Sequence, residues 1–226
     1  MVISLEKERR REVFAGLRRR FGADVARMER EALRTGAAGL DAALRGGWRR
    51  GECHEVVEGR AGAGGTLVLE LCLEAARRER GFAALVDGAD GFAPEAVDAA
   101  VLPHLFWVRC GGETAAALRA AELLARDANF LFLLLDLRGH AAAELRRIPA
   151  GGWYGLQRAA KRSGQALVVF AEVSCVAAAS VRLALEERYG AEALEAERAE
   201  LTAALRPERE LRRASGGGAD PCVLQG

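Results

Sequence analysis

The chain has 226 residues, with 33 basic and 32 acidic side chains and a net charge of +1. At roughly 150 residues per domain, this length predicts one large domain or one domain with extensions. The near-zero charge argues against a nucleic-acid binder that relies on overall charge, so such a surface would have to be local. No apolar run approaches the roughly 20 residues that span a bilayer, which argues against a transmembrane protein.

Residues 1–20 are charged almost from the start and lack the apolar stretch of a signal peptide, so we expect a cytoplasmic protein with no membrane partner. The five cysteines show no CxxC spacing, and the three histidines have no mutual spacing for a metal. No serine or cysteine has a recognisable base beside it. The sequence therefore predicts no disulfide framework, no metal site and no catalytic residues of a hydrolase.

The N-terminal part, residues 1–34, reads as an extension with two short amphipathic helices within residues 4–31. Strands and helices then alternate. The predicted order is strand 53–57, helix 67–78, strand 82–86, helix 94–101, strand 105–108, helix 113–126, strand 130–135, helix 155–162 and strand 166–170. This alternation predicts an α/β fold with a mainly parallel sheet flanked by helices.

Two predicted strands, 130–135 and 166–170, are apolar throughout, as strands buried on both faces must be. They should lie at the centre of the sheet. A charged helical stretch at 186–205 completes the core domain, which spans residues 35–205. Its apolar positions Leu194, Leu201 and Leu205 either face a partner or cover a sheet edge. The glycine-rich remainder, residues 206–226, is predicted to be a disordered tail.

A glycine-rich loop follows the first core strand and opens the first core helix. It has the frame of a P-loop, G-x-x-x-x-G-K-[ST], in which backbone N–H groups and a helix N-terminus cradle phosphates. The candidate nucleotide-binding residues are Gly59, Arg60, Gly62, Gly64, Gly65 and Thr66, together with Asp136 at the end of strand 130–135. Gly65 stands where the P-loop lysine belongs.

Loss of the lysine removes a charge-assisted hydrogen bond worth about 1.5 to 3 kcal/mol, which should weaken nucleotide binding about ten- to a hundredfold. We therefore expect no resident cofactor and at most weak binding of ATP and magnesium. Arg60 either swings in as a substitute cation or is a solvated side chain. Asp136 either holds magnesium with Thr66, as a Walker B acid would, or caps the next turn.

Four segments around this loop, in order, resemble the RecA family. Residues 20–22 (R-F-G) resemble the end of its N-terminal helix, and residues 35–44 (T-G-A-A-G-L-D-A-A-L) its T-G-x-x-x-L-D-x-A-L segment. Residues 85–94 (L-V-D-G-A-D-G-F-A-P) resemble F-I-D-A-E-H-A-L-D-P, and residues 179–183 (A-S-V-R-L) match A-S-V-R-L. The resemblance covers about residues 21–183 and implies a RecA-like fold.

The departures from this family fall at its functional positions. The catalytic glutamate falls on Ala89, with Asp90 one residue away, and the adenine-stacking tyrosine falls near Ala96. The second DNA-binding loop is reduced to about residues 174–178, and the γ-phosphate-sensing glutamine lies closest to Glu172. These losses indicate a domain kept for its surfaces rather than for its chemistry.

Residues 51–56 (G-E-C-H-E-V) resemble the G-x-x-H-E-V run of ImuA-type proteins, degenerate RecA relatives encoded with an error-prone polymerase. This resemblance implies a non-catalytic adaptor in SOS-type translesion synthesis. Its expected partners are an error-prone polymerase subunit, a RecA-like protein, or both. The N-terminal helix at residues 5–20 would engage a RecA-like partner or fold onto its own domain.

A local basic patch follows Asp136, where the RecA family has its first DNA loop. The candidate nucleic-acid residues are Arg146, Arg147, Trp153, Arg158, Lys161 and Arg162. Basic charge with an interleaved aromatic suits weak binding of single-stranded DNA. The alternative is a solvated helix face, with Trp153 packed on the core.

Two other function classes remain open. The first is an ATP-dependent RecA-type DNA-binding enzyme in which Arg60 and Asp90 replace the lost groups. The second is a RecA-fold regulator of a partner unrelated to repair.

Overall fold

The computed structural model describes residues 32–59, 62, 64–186, 189–190, 193 and 196–210. The helices predicted within residues 4–31, the candidate Arg60 and the tail beyond residue 210 lie outside this range. All further statements concern the described residues.

Nine strands and six α-helices alternate along the described chain. The strands are β1 (Ala32–Leu33), β2 (Trp48–Arg49), β3 (Cys53–Glu58), β4 (Phe82–Asp87), β5 (Leu105–Arg109), β6 (Phe130–Asp136), β7 (Ala166–Ala171), β8 (Val181–Leu185) and β9 (Glu208–Glu210). The helices are α1 (Ala38–Leu44), α2 (Gly65–Arg78), α3 (Thr114–Leu124), α4 (Ala142–Leu145), α5 (Ala150–Ser163) and α6 (Arg198–Ala204).

Seven of the strands form one sheet in the order β5-β4-β6-β7-β3-β8-β9. Every pairing is parallel except that of β9, which runs antiparallel to β8. The predicted α/β fold with a mainly parallel sheet is confirmed. The apolar strands β6 and β7 lie third and fourth in the sheet and are almost entirely buried.

Each face of the sheet carries its own apolar layer. One layer packs α1 and α2 on the strands. It includes Leu69, Leu73 and Leu205, which directly follows α6. The other packs α3 and α5 on the opposite face, and includes Trp153 and Leu156. This two-sided covering explains why the central strands read as continuous apolar runs.

Three predictions about local structure are corrected. Residues 94–101 form no α-helix; two 3₁₀ helices, Pro94–Ala96 and Ala99–His104, take their place, because Asp98 caps a new start and Pro103 cannot donate within a helix. Of the helix predicted at 186–205, the described residues are α-helical only in α6.

The third correction concerns both ends of the core domain. Ala32 and Leu33, assigned to the N-terminal extension, pair with Arg49 and Trp48 as a small antiparallel sheet. Residues 208–210, assigned to the disordered tail, form β9 through pairing with β8. The charged sequence Glu-Arg-Glu has little strand propensity, so this strand depends on its non-local pairing.

The strand order determines where a site can lie. Three parallel strands end in acidic residues: β3 at Glu58, β4 at Asp87 and β6 at Asp136. Because carboxyl ends of parallel strands share one edge of the sheet, these acids approach one another there. In open α/β sheets this edge is where ligands bind.

Candidate functional site

A cavity of about 590 Å³ lies at this edge, beside the loop between β3 and α2. Of the candidate residues, Gly62, Gly64, Thr66 and Asp136 line it. Gly62 and Gly64 have φ angles of 86° and 101°, in the left-handed region that favours glycine. Glycine is therefore the favoured residue at these two positions of the loop. Gly59 is exposed, Gly65 is buried, and Arg60 lies outside the described residues.

Arg138, two residues after Asp136, also lines this cavity. Its Nη1 lies 3.1 Å from Glu58 Oε2 and 3.2 Å from the hydroxyl of Thr66. Its Nε and Nη2 donate to the two oxygens of Asp136, at 2.9 and 2.6 Å. One guanidinium therefore joins the P-loop hydroxyl, the strand-end aspartate and a second carboxylate from β3.

Burial lowers the pKa of the Arg138 guanidinium, but hydrogen bonding to Asp136 and the charge of Asp136, followed by those of Glu58, outweigh it and raise that pKa above its usual value. The side chains of Asp136 and Glu58 are each only 6% exposed. Arg138 is therefore a permanent cation between two buried carboxylates. A charge-assisted bidentate pair of this kind has strong geometric specificity.

Gly65 leaves room for this arrangement. A Cβ atom at position 65 would overlap Glu58 Oε2 and lie 2.8 Å from Arg138 Nη1. Real Cβ atoms essentially never approach other atoms so closely. Any other residue, lysine included, would require the Glu58 carboxylate or the Arg138 guanidinium to shift, so Gly65 accommodates their contact as it stands.

The residues present do not fit magnesium-ATP. Both oxygens of Asp136 accept hydrogen bonds from Arg138, so the aspartate and Thr66 contact a protein cation where they would contact magnesium. Among the described residues that line the cavity, four carboxylates face one guanidinium: Glu58, Asp87, Asp136 and Glu172 against Arg138. This excess of negative charge repels a triphosphate.

Neither candidate for the catalytic glutamate position presents a carboxylate to the cavity. Ala89 lines the cavity and has no acid. Asp90 uses its carboxylate locally, accepting hydrogen bonds from the backbone N–H groups of Cys110 and Gly111 and from the Arg109 side chain. The Gly111 N–H contributes most to lowering the pKa of Asp90. Asp90 thus fixes the turn after β5.

Described residues of the segment before β9 form part of the cavity wall. Tyr189 and Leu201 line it, and the hydroxyl of Tyr189 donates to the Leu201 carbonyl at 3.0 Å. The backbone N–H of Tyr189 also donates to the Gly62 carbonyl of the loop. Leu205 is buried in the core. Leu205 therefore packs on its own domain and does not face a partner, whereas Leu201 is half-buried and lines the cavity; Leu194 lies outside the described residues.

The nucleic-acid candidates separate into two groups. Arg146, Arg147, Arg158, Lys161 and Arg162 are exposed. Trp153 is fully buried in the apolar layer beneath α5. The base-stacking interpretation of Trp153 is therefore wrong, and the alternative that packs it on the core holds.

Sequence reasoning missed both Glu58 and Arg138 as residues of this site. The available signal was the position of three acids at the ends of predicted strands, with an arginine two residues after one of them. It also missed the buried Glu55, which accepts hydrogen bonds from the N–H groups of Cys175 and Val176 and from Arg182 Nε at 2.5 Å. Glu55 thereby fixes the shortened loop at 174–178.

Comparison with solved structures identifies the fold of the chain. The crystal structure of the RadB recombinase superposes with a TM-score of 0.52 at 20% sequence identity, covering 67% of this chain and 83% of that chain. The chain has a RecA-like fold. No protein-family model and no curated protein matches the sequence.

Two searches of the described residues complete the site description. None of their helices is long and apolar enough to cross a membrane. No group of three or more histidine, cysteine or acidic side chains in this part of the chain could hold a metal ion.

Proposed function

We propose that this protein is a non-catalytic RecA-like adaptor in DNA repair and damage tolerance of the SOS translesion-synthesis type. Its partners are an error-prone polymerase subunit, a RecA-like protein, or both. One observation carries the non-catalytic part: Arg138 occupies the position between Thr66 and Asp136 that a nucleotide and its metal would need.

The sequence resemblance to ImuA-type proteins supports the biological setting. The RecA-like fold is consistent with it. The domain retains its buried strands while it lacks the lysine and the catalytic acid at Gly65 and Ala89. A fold preserved under these losses contributes binding surfaces, which is the role of an adaptor.

Two sets of contacts among the described residues oppose the ATP-dependent alternative. It needs Asp90 as a stand-in for the catalytic glutamate, and the Asp90 carboxylate is bound to the turn at 109–111. It also needs access to Asp136, whose two oxygens are both engaged by Arg138.

Direct binding to purified partners tests the proposal. The native protein is titrated with the error-prone polymerase subunit and with RecA of the same organism, with and without magnesium-ATP, while phosphate release is recorded. We expect binding to at least one of them, unchanged by nucleotide, and no phosphate release. ATP turnover would favour the enzyme, and no binding to either partner would favour a regulator outside repair.

A further inference from the structure

Four consecutive strands of the sheet bring acidic side chains to the cavity beside the P-loop. The strands β4, β6, β7 and β3 are neighbours in the sheet. Each contributes one carboxylate to the cavity lining, at its last residue or directly after it: Asp87, Asp136, Glu172 and Glu58, in this order. Neighbouring strands lie about 4.8 Å apart, so these four side chains, termed the acidic row, extend over about 14 Å.

Arg138 balances only part of the acidic row. Its guanidinium bridges the acids of β6 and β3 and contacts neither of the other two. Asp87, on β4, is 1% exposed. It accepts hydrogen bonds from the backbone N–H groups of Gly91 and Phe92 and from the indole N–H of Trp107, all of which are neutral. The charge of Asp87 therefore has no cationic partner among the described residues.

Glu172 is the exposed member of the acidic row. Its Oε1 accepts a hydrogen bond from the Gly139 N–H at 3.1 Å, and within the described part of the chain it has no cationic partner either. Burying carboxylate charge without a counter-charge is costly. A cation inside the cavity would reduce this cost, because it would lie close to both Asp87 and Glu172.

The walls of the cavity are apolar, in contrast to the acidic row. They are formed by Leu67, Ala89, Ala193 and Leu201 and by the ring of Tyr189. Such walls suit methylene groups, and an aromatic ring attracts a cation that lies over its face. The volume of about 590 Å³ falls within the range of roughly 300 to 1,000 Å³ that is typical of sites for small ligands.

We propose that this cavity binds a ligand with two or more ammonium groups on aliphatic chains, supplied by a linear polyamine or by neighbouring lysine side chains of another protein. An ammonium group is a compact charge with three hydrogen-bond donors, and its aliphatic stem packs on apolar surface. Several such charges on one extended ligand match carboxylates that are spread along the acidic row. The inference goes beyond the proposed function, and its failure would leave the test with protein partners unaffected.

Calorimetric titration of the native full-length chain with spermidine, at a pH of about 7.5 where its amines are protonated, measures this binding. We expect saturable heat. The chain has a net charge of +1, so it does not attract a polycation through its overall charge. A neutral diol of the same chain length should bind at least about tenfold more weakly, because it forms no charge-assisted hydrogen bonds. A capped lysine-lysine dipeptide, titrated in parallel, distinguishes the two sources of the ammonium groups.

Two glutamate variants locate the binding site. Glu172→Gln removes one charge of the acidic row from an exposed position and keeps the size of the side chain. It should weaken spermidine binding about two- to fivefold, as expected for the loss of one exposed ion pair. The matched control Glu122→Gln removes the same charge from an exposed position in α3 that does not line the cavity, and it should bind spermidine as the native protein does.

Ala89 allows the opposite test, a gain of affinity. It is half-buried and lines the cavity. Ala89→Glu adds a carboxylate and should strengthen spermidine binding about threefold or more. Ala89→Gln introduces a side chain of the same size without the charge and should not strengthen it. Thermal unfolding of both variants checks that they are folded.

The outcomes separate as follows. Tighter binding of spermidine than of the dipeptide would support the proposal with a free polyamine as ligand, and the reverse would support it with lysines of another protein. Four results would overturn it: no saturable heat with either amine, equal affinity for the neutral diol, equal losses in Glu172→Gln and Glu122→Gln, or equal affinities of Ala89→Glu and Ala89→Gln.

Discussion

The Cα of Gly65 and the guanidinium of Arg138 lie so close that a Cβ atom at position 65 would come within 2.8 Å of Nη1. The glycine that interrupts the P-loop motif thus leaves room for the guanidinium of an arginine 73 positions later in the chain. Restoring the lysine alone would not restore the site, because the new side chain would meet Glu58 and Arg138 first.

Gly65→Ala should therefore reduce the free energy of unfolding by about 1 to 3 kcal/mol, the usual cost of overpacking. Chemical denaturation measures it. Gly59→Ala is the matched control in the same loop, because a Cβ there meets nothing within 4 Å. In a protein that already carries Glu58→Ala, Gly65→Ala should reduce the free energy of unfolding by a smaller amount. The interaction free energy between the two substitutions should be about 0.5 kcal/mol or more. Strict additivity of the two substitutions would contradict the contact.

Arg138→Met should be strongly destabilising. It leaves Glu58 and Asp136 buried without their cation, and breaking a buried pair costs about 3 to 5 kcal/mol. Arg138→Lys keeps the positive charge but loses the planar guanidinium. Its free energy of unfolding should therefore fall by less than that of Arg138→Met. Arg158→Met on the exposed side of α5 serves as control and should stay within about 0.5 kcal/mol of the native protein. Equal stability of Arg138→Met and the native protein would mean that the bridge is not formed.

How far the sequence could predict this structure depends on the range of the interactions. Strands β6 and β7 were predictable because burial on both faces makes them continuously apolar. The resemblance of residues 179–183 to A-S-V-R-L implied a strand there, and β8 lies at this place, at residues 181–185. Strand β9 was not predicted, because its three charged residues become a strand only by pairing with β8.

The same distinction applies to the candidate site. The loop frame and Asp136 follow from local motifs, and the structure places them at one cavity. The contact of Arg138 with Glu58 joins residues 80 positions apart, so no motif contains it. Nor could spacing decide between a buried and a stacking role for Trp153, because a tryptophan at helical spacing is compatible with both.

His54 makes stability dependent on pH. Burial is the main cause that lowers its pKa to about 4, from 6.5 in an unfolded chain. The unfolded state therefore binds more protons between these values, so stability is complete above pH 6.5 and falls as the pH approaches 4. The loss should be about 3 kcal/mol. Denaturation curves from pH 7.5 to 4 measure it, and His54→Gln should flatten the slope. If the stability of His54→Gln fell with pH as steeply as that of the native protein, His54 would not be the cause of the pH dependence.

Glu55→Gln should loosen the loop at 174–178. The Glu55 carboxylate is fully buried and accepts hydrogen bonds from Cys175 N and Val176 N at 2.7 and 2.9 Å, as well as from Arg182. The amide keeps the shape but removes the charge that pairs with Arg182. Hydrogen exchange at the Cys175 and Val176 amides should accelerate, while exchange in the central strand β6 should change much less. Unchanged protection of both amides would show that the loop is held by other contacts.

The central claim is that an internal arginine has replaced nucleotide at the P-loop, and titration of the native protein with magnesium-ATP tests it most directly. Calorimetry and phosphate release are recorded on the same sample. We predict no saturable heat at micromolar nucleotide and no phosphate release. Micromolar binding with turnover would contradict the account, because Arg138 would then have to leave Asp136 and Thr66, and the protein would be an enzyme rather than an adaptor.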